Sequence, residues 1–161
     1  MHLDWLDRAA IQLVLPDRLL SHWRGIDSPD YGRACDNSSG WLNQLSVSGG
    51  IGFVLGGDPG MALVVPGDGD SVSIVRWLFG ENEQELIAFA LAGDGRSQTE
   101  PAIVFENAEA NWTLFDAAAH PFRDIGEGRR LKLPLGLVRV RTAYRASERN
   151  AAIVHRFEKP A

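Results

Sequence analysis

Short apolar runs separated by glycine- and proline-rich turns dominate the hydrophobic pattern of the first half of the chain. Each run either alternates apolar with polar positions or is too short for a helix, which is typical of β-strands. The predicted strands are Ile11–Leu15, Trp41–Val47, Ile51–Leu55, Met61–Val65 and Val72–Phe79. Ser48-Gly49-Gly50 is a hairpin-turn sequence, and the loops between the later runs are also short. The pattern therefore predicts an antiparallel meander of the four strands between residues 41 and 79.

A helical pattern follows the meander. Asn82 is a predicted N-cap, and Glu85 three residues later completes a capping-box sequence. Apolar residues then recur at helical spacing, which predicts one short helix ending at Ala92. The polar segment Gly93–Pro101 contains glycines and closes on a proline, so it is a predicted boundary. It divides an N-terminal α+β subdomain, residues 1–95, from a C-terminal antiparallel β subdomain, residues 101–161.

The second half of the chain is again rich in strand patterns. The predicted strands are Ala102–Glu106, Asn111–Ala117, Arg129–Leu133, Gly136–Arg145 and Ala151–Phe157. Within Val138–Tyr144, apolar residues alternate with positions that include Arg139 and Arg141, as in a sheet with one solvated side. The predicted fold class is α+β: mostly antiparallel β-sheet in two strand-rich subdomains with one or two short helices, together forming one structural unit.

Charge is unevenly distributed along the chain. Residues 1–100 hold 6 Lys/Arg against 14 Asp/Glu, and residues 101–161 hold 10 against 7, for a net charge of −5. This balance, with no basic run interleaved with aromatics, argues against a nucleic-acid partner. The single cysteine and the absence of a signal-peptide pattern predict a cytoplasmic protein. No run is apolar enough for a membrane span, so no membrane partner is expected.

The residues that could carry chemistry have no catalytic spacing. Cys35 has no histidine at a diagnostic distance in sequence, and we expect it to be a buried structural residue. Metal-ligand pairs are missing, and Asp68 and Asp70 lack the rest of a calcium loop, so a solvated turn is the better interpretation. Glycines at 49–52 and 56–57 lie between strands and are better explained as hairpin residues than as a phosphate loop. No catalytic residue, metal or cofactor is predicted.

Several segments together resemble immunity protein family 21 of bacterial polymorphic-toxin systems. The resemblance covers about residues 10–157, and Asp30-Tyr31-Gly32-Arg33-Ala34-Cys35 is its most specific piece. Its other elements are Trp23 and Gly25, the Val47–Pro59 hairpin, Arg76-Trp77 before the helix, Trp112 with Leu114–Ala118, and Leu131–Gly136 leading into Val138–Tyr144. The chain departs from the family pattern at Ala9–Gln12 and at Leu137.

The resemblance implies a non-catalytic protein that binds and neutralises one cognate toxin. On that hypothesis the acidic N-terminal half captures a basic toxin, and acidic residues in predicted turns are its candidate contacts. These residues are Asp27, Asp30, Asp58, Asp68 and Asp70. Asp30 and Asp58 have an alternative role, which is only to fix their own turns. The alternative function is a small-molecule-binding module or a hydrolase-like enzyme, for which a deep apolar pocket with a perturbed acid or histidine would be evidence.

Overall fold

The protein is described by a computed structural model, which covers residues 3–7, 11–57, 60–93, 95–120 and 128–161. Its strands are β1 Gln12–Pro16, β2 Leu42–Val47, β3 Gly50–Leu55, β4 Ala62–Pro66, β5 Val72–Phe79, β6 Arg96–Thr99, β7 Ile103–Asn107, β8 Asn111–Asp116, β9 Arg129–Lys132, β10 Gly136–Ala146 and β11 Ala151–Glu158. The α-helices are α1 Asp30–Asp36 and α2 Glu83–Ala92, and the 3-10 helices are Asp17–His22 and Gly25–Asp27. The predicted fold class, α+β with mostly antiparallel sheet and short helices, is confirmed.

The described residues form two compact units, each with its own sheet. The first takes its residues from Arg8–Pro59 and Glu109–Lys132, and its five-stranded sheet has the order β2-β3-β1-β8-β9. The second takes its residues from Met1–Asp7, Gly60–Ala108 and Leu133–Ala161. Its sheet runs β4-β5-β11-β10-β6, with β7 also paired to β10. We call them the five-stranded and the six-stranded unit.

The meander predicted between residues 41 and 79 does not form as a single run. Its two hairpins are present, because β2 pairs with β3 and β4 pairs with β5. Strand β3, however, is paired on its other edge with β1, where Gln12 lies opposite Leu55. Each strand has only two edges, so β4 is excluded from this sheet and joins the other one.

The contacts also divide the chain differently from the boundary predicted at Gly93–Pro101. Residues 96–99 of that segment are strand β6, which pairs with β10. Strand β5, before the segment, pairs with β11 after it, and β1 pairs with β8 in the same manner. Both units therefore combine residues from the two sides of the predicted boundary.

The core of the five-stranded unit is built from alternate positions of its strands and from the segment after β1. Leu13 and Leu15 of β1 pack with Leu19, Trp23 and other fully buried residues. Trp23 is anchored at its polar end, because its indole Nε1 donates a hydrogen bond to the Ala117 carbonyl at 2.9 Å. A buried Trp normally needs such a partner.

Helix α2 packs on one side of the six-stranded sheet. Leu86 and Ala90 contact Val75 of β5 and Val154 of β11 in a buried apolar cluster. The predicted N-cap is confirmed, since Asn82 Oδ1 accepts the Glu85 N–H at 2.9 Å. The Glu85 carboxylate accepts a hydrogen bond from Arg149 at 3.3 Å. At the other end, Gly93 has a φ of 80°, the left-handed conformation that commonly terminates a helix.

Candidate interaction surface

Three arginine side chains converge on one carboxylate where strands β10 and β11 run together. Arg139 lies opposite Glu158 and Arg141 lies opposite Arg156, so all four side chains are on the same side of the sheet. Glu158 Oε1 lies 3.1 Å from Arg139 Nη2 and 2.8 Å from Arg141 Nη2, while Oε2 accepts a bond from Arg156 Nε at 2.8 Å. We call these four residues the arginine cluster.

The Glu158 carboxylate holds the arginine cluster together. Burial by itself would raise the pKa of Glu158, but hydrogen bonds from Arg139 and Arg156 and the charges of Arg141 and Arg156 outweigh it and lower the pKa. The Glu158 side chain is 13% exposed, whereas that of Arg141 is 57% exposed. Three positive charges against one negative charge leave the cluster with two positive charges, held on a rigid sheet.

Exposed aliphatic side chains border the cluster along β7 and at the start of β10. Val104 lies opposite Arg139, and Leu137 lies opposite Glu106, on the same side of the sheet as the cluster. Val104 and Leu137 are 53% and 55% exposed, and Leu135 in the turn before β10 is also exposed. We call Val104, Leu135, Leu137 and the arginine cluster together the open face.

The open face continues the side of the sheet on which α2 packs. Arg156 follows Val154 two positions along β11, so the two side chains share that side. Val154 is buried with α2, while the Arg156 side chain is 43% exposed. One end of the sheet is thus covered by a helix, and the other end presents arginines and aliphatic residues to solvent.

Two of the acidic residues predicted as toxin contacts lie in the five-stranded unit. Asp27 is exposed at the end of its 3-10 helix. Asp30 is the first residue of α1, where the sequence predicted only a turn. Its Oδ2 accepts the Arg24 backbone N–H at 2.9 Å, and its Oδ1 lies 3.6 Å from Arg33 Nη1. The Asp30 carboxylate therefore stabilises its own helix start, which is the alternative role considered from the sequence.

Asp68 and Asp70 lie in the six-stranded unit, in the turn between β4 and β5. Both are exposed, as expected for a solvated turn. The Asp68 carbonyl accepts the Ser71 hydroxyl at 2.8 Å, and Asp70 Oδ2 lies 3.2 Å from Lys159 Nζ. Asp58, the remaining predicted contact, lies outside the described residues. As predicted toxin contacts, all of these acids remain predictions.

Cys35 is exposed, so the prediction that it is a buried structural residue is wrong. The reason is the helix that the sequence did not predict: Ala34 is the buried position of α1, and the next residue in a helix projects elsewhere. Cys35 lies one helical turn from Tyr31. Burial, together with the charge of the Cys35 thiolate, a hydrogen bond to it, and the charge of Asp116, raises the pKa of the Tyr31 hydroxyl.

A buried polar pair lies on the other side of the six-stranded sheet. His155 is opposite Thr142, and its Nδ1 lies 2.9 Å from the Thr142 hydroxyl oxygen. His155 Nε2 is buried and has no hydrogen-bond partner among the described residues. Burial and, after it, the positive charge of Arg76 on β5 hold the pKa of His155 well below its ordinary value. The ring is therefore neutral at physiological pH.

An open groove of about 620 Å³ runs between α2 and the β10–β11 turn. Phe89 and Ala92 contribute apolar surface, and the ion pair of Glu85 with Arg149, 3.3 Å long, closes part of its wall. Within the part of the chain that the structure describes, no three His, Cys, Asp or Glu side chains are grouped as metal ligands. None of the described helices is long and apolar enough to cross a membrane.

Two other elements of the sequence resemblance, Trp23 with Gly25 and the segment Leu114–Ala118, meet at one place in the five-stranded unit. Gly25 has a φ of 63°, and a Cβ there would lie 2.4 Å from the Ala119 carbonyl oxygen. The next residue, Ile26, donates its N–H to the Ala118 carbonyl at 3.0 Å. With the Trp23 indole bound to the Ala117 carbonyl, the segment from 23 to 26 lies directly on the end of β8. These residues have an architectural role.

The sequence contained half of the signal for the open face. The alternation of apolar and polar positions placed Arg139 and Arg141 on one side of a predicted strand. Exposure of that side to solvent was enough to explain why two arginines lie there. Arg156 and Glu158 belong to another strand, and only the pairing register brings them to the same place.

Compared with protein-family models, curated proteins and solved structures, the chain has no match in any of the three.

Proposed function

We propose that this chain is a non-catalytic immunity protein that binds one cognate bacterial toxin in the cytoplasm and blocks it. The observation that carries the proposal is the open face, where half-exposed arginines lie beside exposed aliphatic residues. Arginine is enriched in protein–protein interfaces and among the few residues that contribute most of the binding energy there. The sequence resemblance to an immunity family supports the identity of the partner as a toxin.

The rigidity of the open face favours binding. Apart from Leu135, its side chains stand on paired strands, and Glu158 restrains the three guanidinium groups through ion pairs of 2.8–3.1 Å. Side chains that are already ordered lose less conformational entropy when a partner binds. A stable complex needs roughly 800 Å² on each partner, so the open face would be the centre of a larger contact surface.

The proposal is tested by co-expression with the products of the neighbouring genes. One of these products should arrest growth when it is expressed alone, and this chain should relieve the arrest. The purified pair should co-elute in gel filtration, and the toxin's activity should be lost on mixing. If no neighbouring product arrests growth, or if the arrest persists although this chain is folded and abundant, the proposal is wrong.

The groove beside α2 is the place where the alternative function, a small-molecule-binding module or hydrolase-like enzyme, would reside. It has apolar surface from Phe89 and a charged pair at its wall. Ligand sites usually enclose most of their ligand, whereas this groove is open to solvent. The open face is therefore the better supported site.

A further inference from the structure

We infer that the open face receives an acidic segment of the partner polypeptide. Carboxylates of this segment bind the exposed guanidinium groups of Arg141 and Arg156, and its apolar side chains cover Val104 and Leu137. This inference rests on the proposed function, in which the partner is the toxin. It assigns to that partner the opposite charge from the basic toxin expected from the acidic half of the sequence.

The donor capacity of the cluster is the first argument. Arg141 contacts Glu158 through Nη2 and Arg156 contacts it through Nε. A guanidinium carries more N–H donors than one such contact uses, and both side chains are about half exposed. Carboxylates are the protein groups that bind guanidinium donors most strongly, often through two parallel hydrogen bonds. The open face can therefore accept further carboxylates without breaking its own ion pairs.

Charge is the second argument. The arginine cluster has two excess positive charges, and Glu106, on the same side of the sheet opposite Leu137, removes one of them for the whole face. A local positive region on a chain whose net charge is −5 is a feature of this face and not of the general composition. Electrostatic complementarity selects a partner surface of opposite sign and raises its association rate.

The aliphatic border favours a polypeptide over a nucleic acid. Proteins that bind single strands stack bases on aromatic side chains, whereas Val104, Leu135 and Leu137 are aliphatic. A polypeptide that alternates acidic and apolar residues satisfies both the arginines and the aliphatic border.

The test uses defined synthetic peptides and does not require the toxin. A capped peptide that alternates Glu and Leu is added to the isotope-labelled full chain at low salt, and NMR follows the arginine Nε–H signals. The signals of Arg141 and Arg156 and the backbone amides of Val104 and Leu137 should shift together in a saturable manner. The same peptide with Lys in place of Glu should leave these signals unchanged.

Matched variants locate the contact. Replacing both arginines, in R141Q/R156Q, removes two charges and should weaken Glu-peptide binding about tenfold. R149Q also removes an exposed arginine that pairs with one glutamate. Because Arg149 lies beside α2 and not on the open face, this variant should leave the affinity for the Glu peptide unchanged.

Four outcomes would overturn the inference. The Glu peptide could shift no signals, or it could shift the Val104 and Leu137 amides equally in R141Q/R156Q. The Lys peptide could bind instead at Asp68 and Asp70, or a single-stranded oligonucleotide could bind the open face more tightly than the Glu peptide. Failure of growth rescue with intact peptide binding would remove only the proposed function. Rescue that is unaffected by R141Q/R156Q, with no peptide binding, would remove only this inference.

Discussion

At the scale of single residues, Glu158 and His155 differ in the charge state that the fold stabilises. Glu158 is stabilised in its charged form by three arginines, so its contribution to stability is present above the unfolded-state pKa and is lost as pH falls through the lowered folded pKa. His155 is stabilised in its neutral form, because it is buried and lies near Arg76. The two groups therefore lose their contributions in different pH ranges.

The buried histidine predicts a loss of stability on mild acidification. The pKa of His155 is lower in the folded chain than its ordinary value of 6.5, so below that pH the unfolded chain binds a proton that the folded chain does not. The free energy of unfolding should fall between pH 6.5 and about 5, with a slope approaching about 1.4 kcal/mol per pH unit. Urea unfolding at several pH values measures this slope.

His155→Gln should reduce the slope of the free energy of unfolding against pH, because glutamine does not titrate. This holds whatever effect the substitution has on absolute stability. An equal slope in wild type and His155→Gln would contradict the assignment.

At the scale of elements, the sequence was most informative where local rules decide the structure. Asn82 caps α2 and the hairpin at Ser48–Gly50 forms as predicted, because capping and tight turns depend on a few adjacent residues. Helix α1 was missed because its sequence holds only seven residues, with a proline before it and a glycine inside it. Tertiary packing of Ala34, which no local rule describes, is what stabilises it.

Replacement by alanine should have opposite effects at Gly25, which precedes α1, and at Gly32, which lies inside it. Gly25 has a positive φ, and its Cβ position lies 2.5 Å from the Ala118 carbonyl oxygen, so Gly25→Ala should lower the free energy of unfolding by about 3 kcal/mol. Gly32 lies inside α1 with nothing within 4 Å of its Cβ position. Gly32→Ala should raise the free energy of unfolding by about 0.5–1 kcal/mol.

Thermal and urea unfolding of both variants provide the measurement. The architectural role of the segment from Trp23 to Ile26 would be wrong if Gly25→Ala were as stable as the wild type. A large loss of stability in Gly32→Ala would show that a Cβ at position 32 does not point into open space.

At the scale of the whole molecule, the arrangement of strands into sheets was the part that the sequence could not supply. Hydrophobic alternation fixes which side of a strand is buried, but it does not name the partner strand. Strand β1 pairs with β3 and β8, and β5 pairs with β4 and β11. In each case the second partner is distant in sequence, and the open face depends on the sheet that contains β11. The sequence pattern predicted every described strand except β6 and placed two of the three arginines on one side of a strand; the pairing register brings the third beside them.

The shared sheets predict that the two halves of the chain do not fold separately. A fragment of residues 1–95 keeps β3 and β4 but lacks β8 and β11, the second partners of β1 and β5. A fragment of residues 101–161 lacks β1 and β5. Neither fragment should show a cooperative thermal transition or a dispersed NMR spectrum. A dispersed spectrum from either fragment alone would contradict the prediction.

A cleavage site inserted between Gly93 and Gly95 provides the control. Cut after folding, the full chain should remain one species in gel filtration, because strands from both pieces are already paired in each sheet.

The pairing of strands that are distant in sequence also affects how the chain folds while it is being synthesised. Strand β5 ends at Phe79, whereas β11, one of its two partners, begins only at Ala151. Contacts so distant in sequence make folding slow. On the ribosome, one edge of β5 stays unpaired until β11 has also emerged, and an unpaired apolar strand edge is a site of aggregation. The open face needs Arg156 and Glu158 of β11, so it is completed only when that strand has paired with β10.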